Sequence, residues 1–553
     1  MAKYENLNRR NTGSRRNRRR RRPSTLMVIL CALIVGLLIA GVLIYIFVIK
    51  PEKTPSKVPE VSTTEEPGET EIEGDNTPDE SADPEEEVPG SYSGTSQEAY
   101  EEAQLMAAMY DYNGAVEFIK SAVPGYAGDA QILKFITECE TKAGELVKWP
   151  DNTQITHIFF HTLILDNKVA FSSANKVEYN QVMTTLSEFK EIMQEMYDRG
   201  YVLVRLSDIA SIDPGTGQMT YNPIYLPEGK TPFVLSEDDV CYYEYMNETG
   251  GYANRLVVTP EGRIMNEVDQ PDGSVVTGAF DVLPILDDFI LEHPDFSYHG
   301  AKGIIALTGY NGILGYRTSY IAYGSDEILQ QHYQELFCAG GYDEAHAYEL
   351  ARGPKVHLYD VPDIEEQRAK AKEVADAILA DGWDFASHTW GHMPMDQVLD
   401  QMTGTVGSER FFRDTVWFDV EVQPLIGHTN ILIYPKGADI HTWRNYTDEN
   451  QAYVFLKSMG FDYYCNVDSA KVWVQMDKTA GGSGYLRTGR RNLDGTMFMK
   501  AMLYPEKELL TDIVDVWKVW DKERPVPVAN VTVPEGVTGL TFPDGTYIPF
   551  ETN

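Results

Sequence analysis

The sequence predicts an α/β domain built on parallel strands, because strand-like and helix-like segments alternate from about Trp149 onward. Residues 155–160 form an apolar run typical of a buried strand, and residues 182–199 have the periodicity of an amphipathic helix. The alternation continues with strands at 201–206 and 231–235, a helix at 365–380 and a strand at 430–434. Parallel sheets of this kind gather reactive groups at the carboxyl ends of their strands.

The N-terminal end of the chain has the charge pattern of a membrane anchor. Residues 1–24 form a basic tail with ten lysines and arginines against one glutamate, and residues 25–49 are an apolar run without a charge. A membrane helix needs about 20 such residues, whereas the apolar core of a secretory signal peptide has only about 7–15. The positive-inside rule places the tail in the cytoplasm and the chain after residue 50 outside. The sequence therefore predicts a single-pass cell-membrane protein whose α/β domain is extracellular.

Charge and cysteine usage exclude some classes of function. The net charge of −37 is divided into +9 in residues 1–22 and −46 in the remainder. An acidic body repels phosphate instead of releasing counterions from it, so no nucleic-acid partner is expected. The five cysteines are widely spaced, without a C-x-x-C pair, and predict neither a disulfide framework nor a cysteine metal site.

Three segments flank the predicted catalytic domain, which we place at residues 148–520. Residues 50–96 are rich in Pro, Thr, Ser and Glu, bury too little apolar surface to order the chain, and predict a disordered acidic linker. Residues 97–147 have helical periodicity similar to one tetratricopeptide-type repeat, too few to stack alone. They predict a helical spacer docked on the next domain or, alternatively, a module that binds a protein partner. Residues 521–553 predict a small β tail.

Two short motifs carry the candidate chemistry. Residues 236–240 (S-E-D-D-V) place adjacent carboxylates, Asp238 and Asp239, just after an apolar strand. His388 and His392 follow another strand-like segment, and an i, i+4 pair on one side of a helical turn could reach one metal ion. A carboxylate from the other strand end would complete a two-histidine, one-carboxylate site. The remaining carboxylate could accept a proton from metal-bound water, which suits hydrolysis of an amide or ester.

These motifs resemble those of the polysaccharide deacetylase superfamily, carbohydrate esterase family four. Residues 236–240 correspond to its T-F-D-D-G motif, and 388–392 match its H-S/T-x-x-H motif. Residues 434–437 (Y-P-K-G) are similar to its Y-P-x-G motif, and the resemblance covers about residues 155–499. It implies a distorted (β/α) barrel that removes N-acetyl groups from a cell-wall or surface polysaccharide containing N-acetylglucosamine.

The resemblance also implies roles for individual residues. Asp239, His388 and His392 would bind a divalent metal, usually zinc, and Asp238 would be the general base. Trp390 could form a wall of the acetyl pocket, or be a core aromatic. The predicted substrate-binding residues are Trp390, Tyr434, Pro435 and Arg490.

The chain departs from the family pattern in two places. Residues 254–355 lengthen the interval between the two motifs, and we interpret them as an insertion that either builds a sugar subsite or elaborates the surface. The family's late L-x-x-H motif, which supplies the general acid, has no equivalent in this chain. His161 is either a residue that would contact and orient the metal ligands or a buried strand-end histidine. The alternative to an enzyme is therefore a membrane-tethered glycan-binding or scaffold protein with a degenerate deacetylase fold.

Overall fold

The computed structural model describes residues 92–331, 361, 363–442, 444–468, 471–476 and 484–550. The predicted basic tail, the predicted membrane helix and most of the predicted linker lie outside these residues. Among the described helices, none combines the length and hydrophobicity that a membrane crossing requires. Residues Glu87–Asn553 form one unit, to which the description below refers.

Seven parallel strands form a closed barrel in the described chain, which confirms the predicted α/β class. In chain order they are β1 (Thr156–His161), β2 (Thr231–Asp238), β3 (Ile304–Leu307), β4 (Asp384–Ser387), β5 (Ile431–Ile433), β6 (Tyr463–Val467) and β7 (Leu486–Asn492). Each strand pairs with the next, and β7 pairs with β1 to close the ring. Because all seven strands run in the same direction, their carboxyl ends meet at one rim.

Helices occupy most of the connections between these strands. The longer described helices are α1 (Ser96–Ala108), α2 (Tyr112–Ala122), α3 (Ala130–Glu145), α4 (Leu186–Asp198), α5 (Val282–Glu292), α6 (Ile364–Ala380), α7 (Arg410–Glu421), α8 (Gln451–Ser458) and α9 (Gly495–Leu503). Helix α4 shows why these segments fold as they do: Thr185 and Glu188 form a capping box at its first turn. Its apolar face, including Phe189 and Ile192, is fully buried.

Shorter elements complete the fold. Small antiparallel sheets pair Val147–Lys148 with Tyr225–Leu226, Ala210–Ile212 with Met219–Tyr221, Leu399–Asp400 with Thr405–Val406, and Gly539–Thr541 with Tyr547–Pro549. A three-stranded sheet joins Arg255–Val258, Ile264–Asp269 and Val275–Gly278. Two further strands extend the barrel sheet, Tyr201–Leu203 beside β2 and Trp473–Met476 beside β7.

Side chains on each barrel strand alternate between the interior and the surrounding helices, as the period of a strand requires. On β2, Val234 belongs to an interior cluster, whereas Phe233 and Leu235 pack in the outer layer with helix residues such as Phe189. Ser236 and Asp238 have the inward parity of Val234. The alternation therefore aims Asp238 into the barrel mouth and directs Glu237 outward.

The helical segment and the tail both pack against the barrel. Residues of α1 to α3, including Ile119 and Ile132, share a hydrophobic cluster with interior residues such as Val234 and Ile304. Both expected roles of residues 97–147, a docked spacer and a module that binds a protein partner, stay predictions. The C-terminal hairpin contributes Leu540 and Phe542 to the outer core cluster.

The predicted insertion has a more integral place than the sequence indicated. Ile304–Leu307 lies within residues 254–355, yet it forms barrel strand β3 between β2 and β4. Helix α5, also within this range, packs its Leu283 and Leu286 into the outer core. The parts that elaborate the barrel are the three-stranded sheet and the loop after β3. The interpretation of all of residues 254–355 as an insertion is therefore wrong, because the ring of strands would be open without β3.

Candidate metal centre

Three of the predicted site residues converge at the carboxyl rim of the barrel. Asp239 follows β2, His388 follows β4, and His392 lies four residues later. One potential ligand atom from each lies within 4.8 Å of the others. His392 Nε2 is 3.8 Å from Asp239 Oδ2, close to the separation of about 3.4 Å that ligands at about 2.0–2.1 Å would have around a tetrahedral zinc ion. The donor set and its spacing thus fit a divalent metal.

The backbone separates the roles of the two aspartates. Asp238 ends the extended strand, whereas Asp239 has a φ of 63°, in the left-handed region. This turn directs the two carboxylates differently, although they are neighbours in the chain. The Tyr243 hydroxyl donates to Asp239 Oδ1 at 2.6 Å and fixes that carboxylate. Such outer contacts orient a metal ligand and hold it ready.

Residues 388–393, here called the histidine loop, form a compact turn and not the helical turn expected from the i, i+4 spacing. Thr389 and His392 have φ values of 60° and 48°, which no α-helix contains. The turn is closed by Met393 N–H, which donates to Thr389 Oγ1 at 2.7 Å. Gly391 N–H donates to Asp414 Oδ2 at 2.9 Å. The two imidazoles still converge, with ring centroids 5.0 Å apart.

The hydrogen bonding of His388 suits a metal ligand. Its Nδ1–H donates to the Ile433 carbonyl oxygen at 2.9 Å, which leaves the Nε2 lone pair facing the site. Burial lowers the pKa of His388 to about 4, although Asp238 and Asp239 oppose this shift. The ring is therefore neutral at pH 7, the form in which imidazole binds a metal.

Asp238 is held by a cation from the opposite side of β1. Arg490 on β7 donates from Nη1 and Nη2 to the two Asp238 oxygens at 2.6 and 2.8 Å. Burial by itself would raise the pKa of Asp238, but Arg490 and, to a smaller extent, His388 lower it well below its ordinary range. Asp238 Oδ2 lies 3.9 Å from His388 Nε2. An ionised acceptor thus lies beside the three candidate metal ligands and is not a member of that group.

The predicted substrate-binding residues have different surroundings. Arg490 is 0 % exposed and lies behind Asp238, so it acts through that carboxylate and does not face solvent. The Tyr434 ring is fully buried, its hydroxyl bonded to that of Tyr446 at 2.9 Å, and Pro435 is buried after it. Strand alternation explains this, because Tyr434 follows inward-facing Ile433 and turns outward into an aromatic core. These positions differ from the direct substrate contacts expected.

Trp390 is half-buried and joins the histidine loop to neighbouring elements. Its Nε1–H donates to Glu421 Oε2 at 2.5 Å, and its ring packs edge-on against Trp417 with centroids 4.8 Å apart. Its carbonyl oxygen accepts from the backbone N–H groups of Gly309 and Tyr310 at 2.8 and 3.0 Å. The indole is therefore packed against its neighbours and partly exposed, and its role as a wall of the acetyl pocket stays a prediction.

Glu237, which precedes Asp238 on β2, does not line the site. It is fully buried on the outer side of β2 next to Asp281. Burial and the nearby Asp281 raise the pKa of Glu237 well above its ordinary value. The protonated side chain therefore occupies a core position that an apolar residue could fill.

Two further features adjoin the site: His161, for which the sequence left two roles open, and a group of tyrosines that it did not single out. His161 ends β1 in register with Asp238, and its Nδ1 lies 3.1 Å from the Val182 carbonyl oxygen. It is half-buried, and its charge helps to lower the pKa of both Asp238 and Asp239. The second is a group of tyrosines around Asp239. The position of His161 at the end of an apolar strand could have indicated its place at the site. The tyrosines gave no such signal, because they come from loops that are distant in sequence.

Comparisons of the chain with protein-family models, with curated proteins and with solved structures found no match. The geometry of the barrel rim is therefore the evidence from which function is inferred.

Proposed function

We propose that the protein is a metal-dependent hydrolase that removes N-acetyl groups from a cell-wall or surface polysaccharide, with a barrel of the polysaccharide deacetylase type. The observation that carries this proposal is the convergence of Asp239, His388 and His392 at the barrel rim, with ionised Asp238 beside them. Two imidazoles and one carboxylate would give a metal three protein ligands and leave a coordination position open, as in catalytic rather than structural sites.

The metal would be held by those three ligands, and zinc suits their nitrogen and oxygen donors. When bound, it would supply a Lewis acid for the acetyl carbonyl and lower the pKa of a bound water. Asp238 would accept the proton that this water loses as its oxygen adds to the carbonyl carbon. Arg490 keeps Asp238 ionised and fixes both carboxylate oxygens, so the acceptor is oriented before the substrate arrives.

Breaking the carbon–nitrogen bond requires a proton for the departing amine. His161 is placed to supply it, because it lies in register with Asp238 and is partly open to solvent. Its contact with the Val182 carbonyl fixes the ring through Nδ1 and leaves Nε2 for the substrate. With Asp238 accepting one proton and His161 delivering another, the products are acetate and a free amine.

The proposed substrate follows from the predicted location of this site. Residues 25–49 predict a membrane span and residues 50–96 an acidic linker, which would carry the barrel away from the outer face of the cell membrane. A surface glycan that contains N-acetylglucosamine is the acetylated polymer such an enzyme would meet. The acidic body also favours a neutral or cationic polymer over a polyanion.

The test is acetate release by the full chain, purified in detergent and loaded with zinc, from a chitooligosaccharide. Asp238→Asn should lower turnover by about 10²–10⁴-fold, because a carboxamide cannot accept the proton. Asp512→Asn is the matched control, since Asp512 pairs with Arg491 in the same bidentate way but on the outer side of β7. It should keep wild-type turnover and zinc content.

Two results would contradict the proposal. If Asp238→Asn were as active as the wild type, the base would be assigned wrongly. If the wild type bound the oligosaccharide but released no acetate from it or from other acetylated glycans, the protein would be a glycan-binding scaffold instead.

A further inference from the structure

Three tyrosine rings form a stack beside the candidate metal centre. The rings of Tyr245 and Tyr243 lie 5.4 Å apart between centroids and within 13° of parallel. The rings of Tyr243 and Tyr310 are also 5.4 Å apart and within 22° of parallel. Through the Tyr243 hydroxyl, the stack contacts Asp239 directly. Orientation of Asp239 accounts for Tyr243 but not for Tyr245 or Tyr310.

The stack has a buried centre and an open end. Tyr243 is buried between its two neighbours, and its hydroxyl reaches both Asp239 and Thr308 Oγ1. Tyr245 covers one face of Tyr243 and is itself 43 % exposed.

Hydrogen bonds hold the stack in place relative to the metal ligands. Tyr243 and Tyr245 come from the loop after β2, which continues into the short helix Glu244–Thr249, and Tyr310 comes from the loop after β3. Arg317 joins the loops, because its guanidinium donates to the carbonyl oxygens of Cys241, Tyr242 and Asn311 at 3.3, 2.6 and 2.8 Å.

The loop after β3 is also tied to the histidine loop. Gly309 N–H donates to the Trp390 carbonyl, and a Cβ atom at Gly309 would lie 2.2 Å from Trp390 Cδ1. A side chain at this position would therefore push the loops apart. The aromatic stack and the two histidines thus form one rigid assembly at the rim, which is the preorganisation that a binding site needs.

We propose that the exposed face of Tyr245 is a stacking subsite for a pyranose ring of the substrate glycan, next to the sugar that carries the acetyl group. This rests on the proposed deacetylase function and specifies how a polymer would be held. Tyr245 stacks on Tyr243, whose hydroxyl contacts Asp239, so the exposed Tyr245 ring lies beside the candidate metal ligands without being one of them. A pyranose presents an apolar C–H face and a polar edge, and tyrosine offers an apolar ring with a hydrogen-bonding hydroxyl.

The test compares polymer and monomer substrates in the zinc-loaded full chain. The ratio of kcat/KM for N-acetylchitotetraose to that for N-acetylglucosamine should fall about tenfold in Tyr245→Ala, through KM, because only the tetramer reaches the subsite. Tyr245→Phe retains the ring and should keep the ratio within about twofold. Tyr225→Ala is the matched control, since Tyr225 is similarly exposed, at 44 %, and lies before the amino end of β2. It should not change the ratio.

Calorimetric binding of N-acetylchitotetraose separates failure of the subsite from failure of the proposed function. If the wild type released no acetate but Tyr245→Ala weakened tetramer binding, the result would contradict the deacetylase proposal and support the subsite. An unchanged ratio and unchanged tetramer affinity in an active Tyr245→Ala enzyme would overturn the subsite alone. A wild type that neither binds nor hydrolyses the tetramer would overturn both.

Discussion

Replacing Arg490 by methionine tests the buried ion pair on which the proposed base depends. The guanidinium is 0 % exposed and donates to both oxygens of Asp238 and to Ser236 Oγ at 3.0 Å. Methionine has similar length and no charge, so Arg490→Met would leave the Asp238 carboxylate buried without its cation. Removing one partner of a buried pair typically costs about 3–5 kcal/mol. We expect a loss of that size in the free energy of unfolding.

Urea unfolding of the metal-free full chain at pH 7, followed by tryptophan fluorescence, measures this loss. The pKa of Asp238 is lowered, so the contribution of the pair is fully present above the ordinary pKa of 3.8 and is lost only as the pH falls through the lowered value. Arg491→Met is the control on the same strand. Arg491 pairs with Asp512, whose side chain is 51 % exposed, and such a pair contributes only about 1 kcal/mol.

A double variant identifies the source of the loss. If the cost comes from the unpaired carboxylate, Arg490→Met combined with Asp238→Asn should recover most of the lost stability, because no buried charge remains. The reasoning is refuted if Arg490→Met costs no more than Arg491→Met. It is also refuted if the double variant is as unstable as Arg490→Met alone, since packing would then account for the effect.

Three further predictions concern the metal, a nearby acid and the membrane anchor. His388→Ala and His392→Ala should each remove most of the zinc measured by atomic absorption, because two protein ligands are too few; stoichiometric zinc in the double variant would place the metal elsewhere. Burial raises the pKa of Asp414 to about 6, so the folded state should lose about 2 kcal/mol as the pH rises from 4 to 6, and Asp414→Asn should flatten this part of the pH profile of thermal stability. An Asp414→Asn profile as steep as the wild type would assign the slope to another group. Protease added to intact cells should release a fragment that begins within residues 51–96, and complete protection of the body would contradict the predicted topology.

The barrel could be predicted from the sequence where its elements are long. The helix predicted at 365–380 is α6, Ile364–Ala380, and the strand predicted at 155–160 is β1, Thr156–His161. Strand β3 was missed because Ile304–Leu307 offers only four apolar residues, and such a run does not distinguish a strand from a piece of buried helix. Predicted strand 201–206 was only half right. It ends at Leu203 and lies outside the closed ring.

The grouping of Asp239, His388 and His392 as candidate metal ligands could be predicted because each motif directly follows an apolar strand of the same sheet. The conformation of the histidine loop could not, since an i, i+4 spacing is satisfied equally by a helical turn and by a turn with two left-handed residues. Contacts between distant loops were also out of reach. The Tyr243 and Tyr310 rings are 67 residues apart in sequence, and only the closure of β2 against β3 brings their loops together.

Closure of the barrel also explains why Arg490 serves Asp238 from so far along the chain. The two residues lie on β7 and β2, which flank β1 because the last strand pairs with the first. A long side chain directed inward from β7 can therefore cross above the interior face of β1, where its guanidinium lies 4.2 Å from the centre of the Phe159 ring. The apolar ring excludes water from the pair and strengthens its electrostatic attraction. The same exclusion of water makes the pair costly to break, so the stability measured for Arg490→Met and the turnover measured for Asp238→Asn report on one buried arrangement.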